Sequence, residues 1–176
     1  MCGLDALKID LKGLKEDEKT LHFSLGDDYF EAIDAPEVRR GNLDVALTIR
    51  KSAASFELRF HITGTVHVAC DLCLDDMEQD IETENRLVVK FGDAYAEDDD
   101  LITIDENEGI LDVAWLIYEF VVLSIPIKHV HAPGKCNAAM TKKLSELSAT
   151  RSSDGVEEET TDPRWSKLKE LKDFKN

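Results

Sequence analysis

Apolar and polar side chains alternate without exception in the stretch Phe56-Glu57-Leu58-Arg59-Phe60-His61-Ile62. A period of two residues is typical of a β-strand that has one face in the core and the other in solvent. Val45, Leu47 and Ile49 alternate in the same way, and a short connection at residues 51–54 separates the two stretches. The pattern therefore predicts a β-hairpin at the centre of the fold.

Two further strands are predicted downstream of this hairpin. Gly64 separates the hairpin from a third strand, which leads directly into Cys70. A later strand covers residues 87–91 and ends at Gly92. Alternating strands of this kind, with polar outer faces, favour neighbours that run antiparallel, so we expect a twisted, mainly antiparallel β-sheet.

A long apolar run follows the strand region. Asp112 stands where an N-cap residue is expected, residues 113–125 are almost entirely apolar, and Pro126 ends the run. We interpret it as one long helix, buried nearly all round and packed across the sheet. The fold class predicted for residues 1–140 is therefore α+β: a mainly antiparallel twisted β-sheet packed on one long buried helix, with a short C-terminal helical tail further along the chain.

The charge balance excludes some classes of partner. The chain has 37 Asp and Glu against 21 Lys and Arg, which gives a formal net charge of −16. Such a field repels polyphosphate, so we do not expect the body to bind nucleic acid without specificity, and basic partners suit it better. Residues 93–112 alone hold nine acidic and no basic residues. We predict a solvated loop there, with a docking surface for a basic tail as the alternative.

The sequence favours a cytoplasmic location. No apolar run is long enough to cross a bilayer, and the first residues lack the apolar core of a signal peptide, so we expect no membrane partner. Four cysteines in a reducing compartment are not expected to form two disulfides. Cys2 lies at the terminus and is interpreted as incidental, so Cys70, Cys73 and Cys136 require another explanation.

The composition changes after the predicted domain. Residues 141–162 contain few apolar groups and predict a flexible linker, whereas residues 163–176 form a short basic amphipathic segment. The segment contains the candidate partner-binding residues Arg164, Trp165, Lys167 and Leu168. It is interpreted either as a terminal helix that folds back onto the acidic domain or as a tail that binds a partner or RNA.

Cys70 and Cys73 form a C-x2-C pair, a spacing at which one turn presents both sulfur atoms to a single ion. His131 and Cys136 flank a second turn, built from Pro133 and Gly134. Together these cysteines and the histidine make a Cys3His set, which by ligand number and softness predicts a closed, structural zinc site. His129 is a possible substitute for His131, because side chains two residues apart on an extended chain point to the same side.

Other interpretations of the cysteines remain open at this stage. A thioredoxin-like redox pair should open a helix within a βαβ unit, whereas here the pair follows a strand. An empty site of buried thiols is a further alternative. A zinc enzyme would need an open coordination position and a general base, for which Glu119 in the apolar run is a weak candidate. We therefore predict no catalytic residues and no enzymatic activity.

The order of these features resembles the YceD family. A strand ending in Cys70-Asp71-Leu72-Cys73, an acidic segment leading through residues 104–112 into an apolar helix, and then Ile125-Pro126, His131 and Cys136 carry the resemblance over residues 10–140. Residues 162–168 are similar to the family's C-terminal motif of Pro, an aromatic residue and Leu-Lys. The resemblance implies a bacterial or organellar protein needed for accumulation of large-subunit ribosomal RNA, with a metal site and no established enzymatic activity.

The sequence thus predicts a non-enzymatic ribosome biogenesis factor with zinc as a structural staple. The expected partner is a ribosomal protein or a precursor of the large ribosomal subunit, and the C-terminal segment would supply a second contact. The alternative is a protein that binds ribosomal RNA directly through its basic tail, with the acidic body facing away.

Overall fold

The computed structural model describes residues 4–98 and 100–148. The strands in this part of the chain are β1 (Lys8–Asp10), β2 (Glu18–Leu25), β3 (Gly41–Lys51), β4 (Phe56–Ala69), β5 (Asp76–Gly92), β6 (Ala96–Asp98), β7 (Leu101–Asp105) and β8 (Ile110–Asp112). Its α-helices are α1 (Asp27–Ala32), α2 (Ala114–Ser124) and α3 (Ala138–Leu147). Six strands form one sheet in the order β2-β3-β4-β5-β7-β6, and β1 pairs with β8 in a separate ladder.

The predicted hairpin is confirmed. β3 and β4 pair antiparallel, with Val45 opposite Ile62, Leu47 opposite Phe60 and Lys51 opposite Phe56. The alternating apolar side chains lie on one buried face, as their period of two residues requires. This face supplies nine of the 29 buried residues of the hydrophobic core among the described residues.

Gly64 lies inside β4 and does not separate two strands, so the prediction of a third strand after it is wrong. β4 runs unbroken from Phe56 to Ala69. Gly64 has φ +144, and a Cβ at this position would overlap the backbone carbonyl oxygen of Asn42 on β3. Glycine therefore allows two strands to stay in register at a close approach that any side chain would prevent.

The predicted fold class is wrong in two respects, and the first concerns the sheet. The sheet is mixed, because β7 lies between β5 and β6 and runs parallel to β5. The chain leaves β5 at Gly92, reverses in β6 at the far edge of the sheet and returns as β7. The acidic segment predicted as a loop therefore contains strands, and its Ile102 and Ile104 are buried in the core.

The second error concerns the helix. α2 has only eleven residues and is not buried all round, because Trp115 is 47% exposed and Leu123 is 82% exposed. Asp112 ends β8, although its carboxylate still accepts a hydrogen bond from the Ala114 N–H at 2.9 Å. The molecule is thus mostly β-sheet with short helices. None of the helices among the described residues combines the length and apolar character that a membrane span requires.

One hydrophobic core lies between the buried face of the sheet and the helices α1 and α2. Phe60 of β4 packs edge-to-face on Phe120 of α2, with ring centroids 5.2 Å apart. The Tyr29 hydroxyl of α1 donates a hydrogen bond to the Ala114 carbonyl at the start of α2, at 2.7 Å. The buried side chains of the main sheet are Leu25, Leu43, Val45, Leu47, Ile49, Phe56, Leu58, Phe60, Ile62, Val66, Ile81, Leu87, Val89, Ile102 and Ile104.

The C-terminal part of the chain is a separate unit from Lys143 onward, and the compact body ends at Lys142. Helix α3 includes the first residues of the stretch predicted as a linker. Asn137 caps this helix, because its side-chain oxygen accepts hydrogen bonds from the N–H groups of Ala139 at 3.0 Å and Met140 at 3.4 Å. The predicted helical tail at residues 163–176 lies outside the described residues.

We expect Gly64→Ala to lower the free energy of unfolding by about 2 kcal/mol or more, because the new methyl group meets backbone in a conformation that L-residues rarely adopt. Urea unfolding followed by circular dichroism measures the change. Gly26→Ala is the matched control, since φ is −106 there and the added Cβ meets only a side chain, so its cost should stay below about 1 kcal/mol. Equal effects of the two substitutions would contradict the role given to Gly64.

Candidate metal centre

The first half of the candidate site is the turn that joins β4 to β5. Cys70 follows the last residue of β4, and its N–H donates to the Asp75 carbonyl at 2.9 Å. The N–H of Leu74 donates to the Cys70 carbonyl at 2.9 Å, which closes a tight turn around both cysteines. We call residues 70–75 the knuckle. Its geometry places both thiols on the inner side, where Cys70 and Cys73 are fully buried.

The second half is the segment after α2, and Asp71 joins it to the knuckle. The Asp71 N–H donates to the His129 carbonyl at 3.0 Å. The His129 N–H in turn donates to the Asp71 carboxylate at 2.8 Å. This reciprocal pair holds the two chain segments side by side, so that His131 and Cys136 reach the cysteines of the knuckle.

The structure brings together the four residues that the sequence predicted as ligands. One ligand atom from each of Cys70, Cys73, His131 and Cys136 lies within 4.8 Å of each of the others. Cys73 Sγ is 3.4 Å from His131 Nδ1, and Cys136 Sγ is 3.9 Å from both Cys70 Sγ and His131 Nδ1. A sulfur separation of 3.9 Å is far longer than the roughly 2.05 Å of a disulfide.

These separations match the edges of a coordination tetrahedron. With Zn–S bonds of about 2.3 Å, tetrahedral geometry places two sulfur atoms about 3.8 Å apart. The shorter bond from zinc to a histidine nitrogen, about 2.0–2.1 Å, brings sulfur and nitrogen slightly closer. The three separations of 3.4–3.9 Å are therefore close to the edges expected around an ion of this size, and all four ligand atoms lie within 4.8 Å of one another.

His131 is oriented as a ligand through Nδ1. Its other ring nitrogen, Nε2, lies 3.3 Å from the backbone carbonyl of Asp76. A proton on Nε2 donated to that carbonyl leaves the lone pair of Nδ1 directed at the thiols, an arrangement common around metal-bound histidines. The tautomer that a metal needs is thus the one that the surroundings favour.

His129, the possible substitute for His131, lies outside the cluster. Its Nδ1 is 3.0 Å from the Pro126 carbonyl, and its Nε2 is 3.6 Å from the Asp71 carboxylate. Because both ring nitrogens have partners of their own, His129 contributes to the contact between the two halves of the site through Asp71.

The thiols differ in their electrostatic surroundings. Burial raises the pKa of Cys70, but hydrogen bonds from the N–H groups of Cys73, His131 and Leu72, together with the His131 side chain, outweigh it and lower the pKa to about 6. Burial and the neighbouring sulfur atoms of Cys70 and Cys73 raise the pKa of Cys136 to about 11. One thiolate is thus formed before a metal arrives, and its charge opposes the ionisation of Cys136.

Five polar residues around the site were missed from the sequence. Asp71 links the two halves, Asp76 accepts from Arg40 at 2.6 Å and supplies the carbonyl that faces His131, and Asn137 donates to Asp75 at 3.1 Å. The position of Asp71 between the two cysteines was a usable signal, since side chains there are close to any bound ion. Arg40 and Asn137 carried no such signal.

The four candidate partner-binding residues, Arg164, Trp165, Lys167 and Leu168, lie outside the described residues. The structure therefore leaves their assignment as a prediction.

A comparison with known protein families shows which family the chain belongs to. Residues 58–172, more than half of the chain, match the family model described as large ribosomal RNA subunit accumulation protein YceD. The chain belongs to the YceD family. The region matched to YceD begins within β4 and includes all four residues of the Cys3His cluster. No curated protein and no solved structure gives a significant match.

We expect one thiol of the metal-free protein to ionise near pH 6, because the hydrogen bonds around Cys70 lower its pKa to about that value. A pH titration of thiolate absorbance in the ultraviolet measures this step. Below pH 6 Cys70 is protonated, so the step appears as the pH rises. Cys70→Ser should remove the step and Cys136→Ser should retain it. A wild-type protein whose thiols all ionise at or above the ordinary value of about 8.5 would contradict the assignment.

Proposed function

We propose that the chain is a non-enzymatic ribosome biogenesis factor that supports accumulation of large-subunit ribosomal RNA by binding a ribosomal protein or an assembly intermediate in the cytoplasm. The observation that carries the proposal is membership of the YceD family, whose description names large-subunit ribosomal RNA accumulation. The residues of the Cys3His cluster support a structural metal site, and the net charge of residues 1–140 supports a basic partner.

We propose that the Cys3His cluster holds zinc in a structural role. Three sulfur atoms and one imidazole nitrogen, all within 4.8 Å of one another, would complete a four-ligand coordination sphere and leave no position for a substrate. The ion would connect Cys70 and Cys73 to His131 and Cys136, which are about 60 residues further along the chain. A cross-link that closes so long a loop restricts the unfolded chain and thereby stabilises the fold.

The surroundings of the cluster support a non-enzymatic role. The carboxylates of the knuckle and of the first residue of β5, which are Asp71, Asp75 and Asp76, are hydrogen-bonded to His129, Asn137 and Arg40. A metal-dependent hydrolase needs a carboxylate or imidazole that is placed to accept a proton from a metal-bound water. In the described part of the chain, these three side chains are committed to holding the site together.

The charge of the body favours a basic partner. Residues 141–176 hold eight basic and eight acidic residues, so the net charge of −16 resides in residues 1–140. Ribosomal proteins are basic as a class because they bind RNA, and an acidic surface attracts them over a longer range than contact forces do. For the same reason the body is poorly suited to bind bare RNA.

We propose that the C-terminal segment supplies a second contact. Arg164 and Lys167 offer positive charge, and Trp165 and Leu168 offer apolar area, for a partner that the body has already bound. The family match extends to residue 172 and includes these four residues. With the residues between α3 and Arg164 as a tether, the second contact would form at a high effective concentration.

We expect the metal-free protein to bind one Co²⁺ per chain with a tetrahedral, thiolate-rich absorption spectrum, and zinc to displace it. Cys73→Ser and His131→Ala should weaken binding by at least about a hundredfold, because each removes one of four ligands. His129→Ala is the matched control and should retain the spectrum, since this imidazole lies outside the cluster. A spectrum that is lost in His129→Ala but retained in Cys73→Ser and His131→Ala would overturn the ligand assignment.

In cells that depend on this chain, we expect depletion to lower large-subunit ribosomal RNA relative to small-subunit ribosomal RNA. The ratio of the two species in total RNA is the measurement. Wild type and Cys2→Ser should restore the ratio, whereas Cys73→Ser should restore it only partly, because it lacks one proposed metal ligand. An unchanged ratio on depletion would reject the proposed function.

A further inference from the structure

A groove runs between the knuckle and the end of α2. It has a volume of about 450 Å³, within the range of roughly 300–1,000 Å³ typical of binding pockets. Val68 of β4 and Val122 and Ile125 at the end of α2 line it. The side chains of Leu74 and Ile127 also line it, one from each half of the candidate metal centre. We call this feature the knuckle groove.

The rim of the knuckle groove exposes apolar area that the fold does not use. Ile127 is 103% exposed and Leu74 is 69% exposed. Single exposed apolar residues are common on protein surfaces and need no explanation. Two of them that face the same groove, above further apolar side chains, form the kind of continuous patch that marks an interaction site.

Leu74 is held in a strained backbone conformation. Its φ of +62 lies in the left-handed region, where a residue with a Cβ is disfavoured and glycine is not. The conformation belongs to the knuckle turn, in which the Leu74 N–H bonds the Cys70 carbonyl at 2.9 Å. The leucine side chain adds strain at this position and is largely exposed, so the fold itself gains little from it. Strain of this kind is associated with functional positions.

The charges that line the knuckle groove are negative. Glu37 and Asp71 line it together with His129, which faces the Asp71 carboxylate, and no Lys or Arg does so among the described residues. The body around the groove carries the whole net charge of −16. An apolar pocket with carboxylates at its margin fits a polypeptide that combines a bulky apolar side chain with positive charge.

We propose that the knuckle groove docks a basic polypeptide segment of a large-subunit ribosomal protein, with a bulky apolar side chain inserted between Leu74 and Ile127. This proposal rests on the proposed function and names the surface that meets the partner. Cys70 also lines the groove, so an ion in the Cys3His cluster would fix the distance between its two sides. The partner therefore binds more tightly to the zinc-loaded protein than to the metal-free protein.

A photo-crosslinking experiment tests the position of the partner. The full-length, zinc-loaded chain carries Ile127→p-benzoylphenylalanine, and the probe is the protein fraction extracted from purified large ribosomal subunits. Ile110 on β8, an exposed isoleucine that does not line the groove, receives the same substitution as a control. Mass spectrometry identifies the crosslinked segments.

We expect the Ile127 position to crosslink to a lysine- or arginine-rich segment at or next to an apolar residue, and the Ile110 position not to do so. Crosslinks to a second copy of this chain, to its own residues 163–176, or equally from both positions would overturn the proposal. If neither position crosslinks but the wild-type protein still cosediments with large-subunit precursor particles, the knuckle groove is not the docking site and the proposed function stands. Absence of cosedimentation as well would reject both.

Substitutions provide a second measurement that separates binding from folding. Ile127→Ser should weaken binding of the protein identified by crosslinking about tenfold or more. The substitution removes an exposed apolar side chain that becomes buried when the partner binds. Leu74→Gly should also weaken binding, by about fivefold or more, although it relieves the backbone and leaves the melting temperature and zinc content at or above those of wild type. Ile110→Ser should leave binding unchanged. Unaltered binding in both groove variants would overturn the proposal.

Discussion

The pairing of β4 with β5 is the constraint on which the rest of the molecule depends. Every residue of β4, from Phe56 to Ala69, has a partner on β5. Because the two strands stay in register to their ends, the turn between them has one defined position, and that turn is the knuckle that presents Cys70 and Cys73. In the sheet, β3 lies next to β4 and β7 lies next to β5. The pairing of β4 with β5 therefore determines both where the candidate metal centre lies and which strands contribute to the core.

The parts of the fold that could be predicted are those with a strong local period. Strict alternation made the β3–β4 hairpin visible, because a shift of one residue would turn every apolar side chain to solvent. The parallel strand β7 was hidden because Ile102 and Ile104 lie within a strongly acidic segment, where charge dominated the pattern. The error at Gly64 had a different cause: a glycine that interrupts a strand and a glycine that admits a neighbouring backbone look the same in a sequence. For α2, an apolar run of residues 113–125 did not show that Leu123 would remain outside the core.

The candidate site was more predictable than the fold around it. The residue types and spacing of the cysteines restrict the chemistry strongly, so Cys70, Cys73, His131 and Cys136 could be grouped without knowledge of the topology. The choice between His129 and His131 needed coordinates, because both lie on the same short segment. Only the structure shows that the His129 backbone is engaged with Asp71, which leaves His131 to face the thiols. The polar residues around the ligands depend on long-range contacts, such as that of Arg40 with Asp76, and these have no local signature.

The separation of the two halves of the cluster along the chain has a consequence for biosynthesis. Cys70 and Cys73 are translated about 60 residues before His131 and Cys136, so they leave the ribosome ahead of the other half of the cluster. During that interval the nascent chain carries only two of the four residues of the cluster. Closure of the cluster is therefore one of the last events in the maturation of the body, and it reports that translation has passed residue 136.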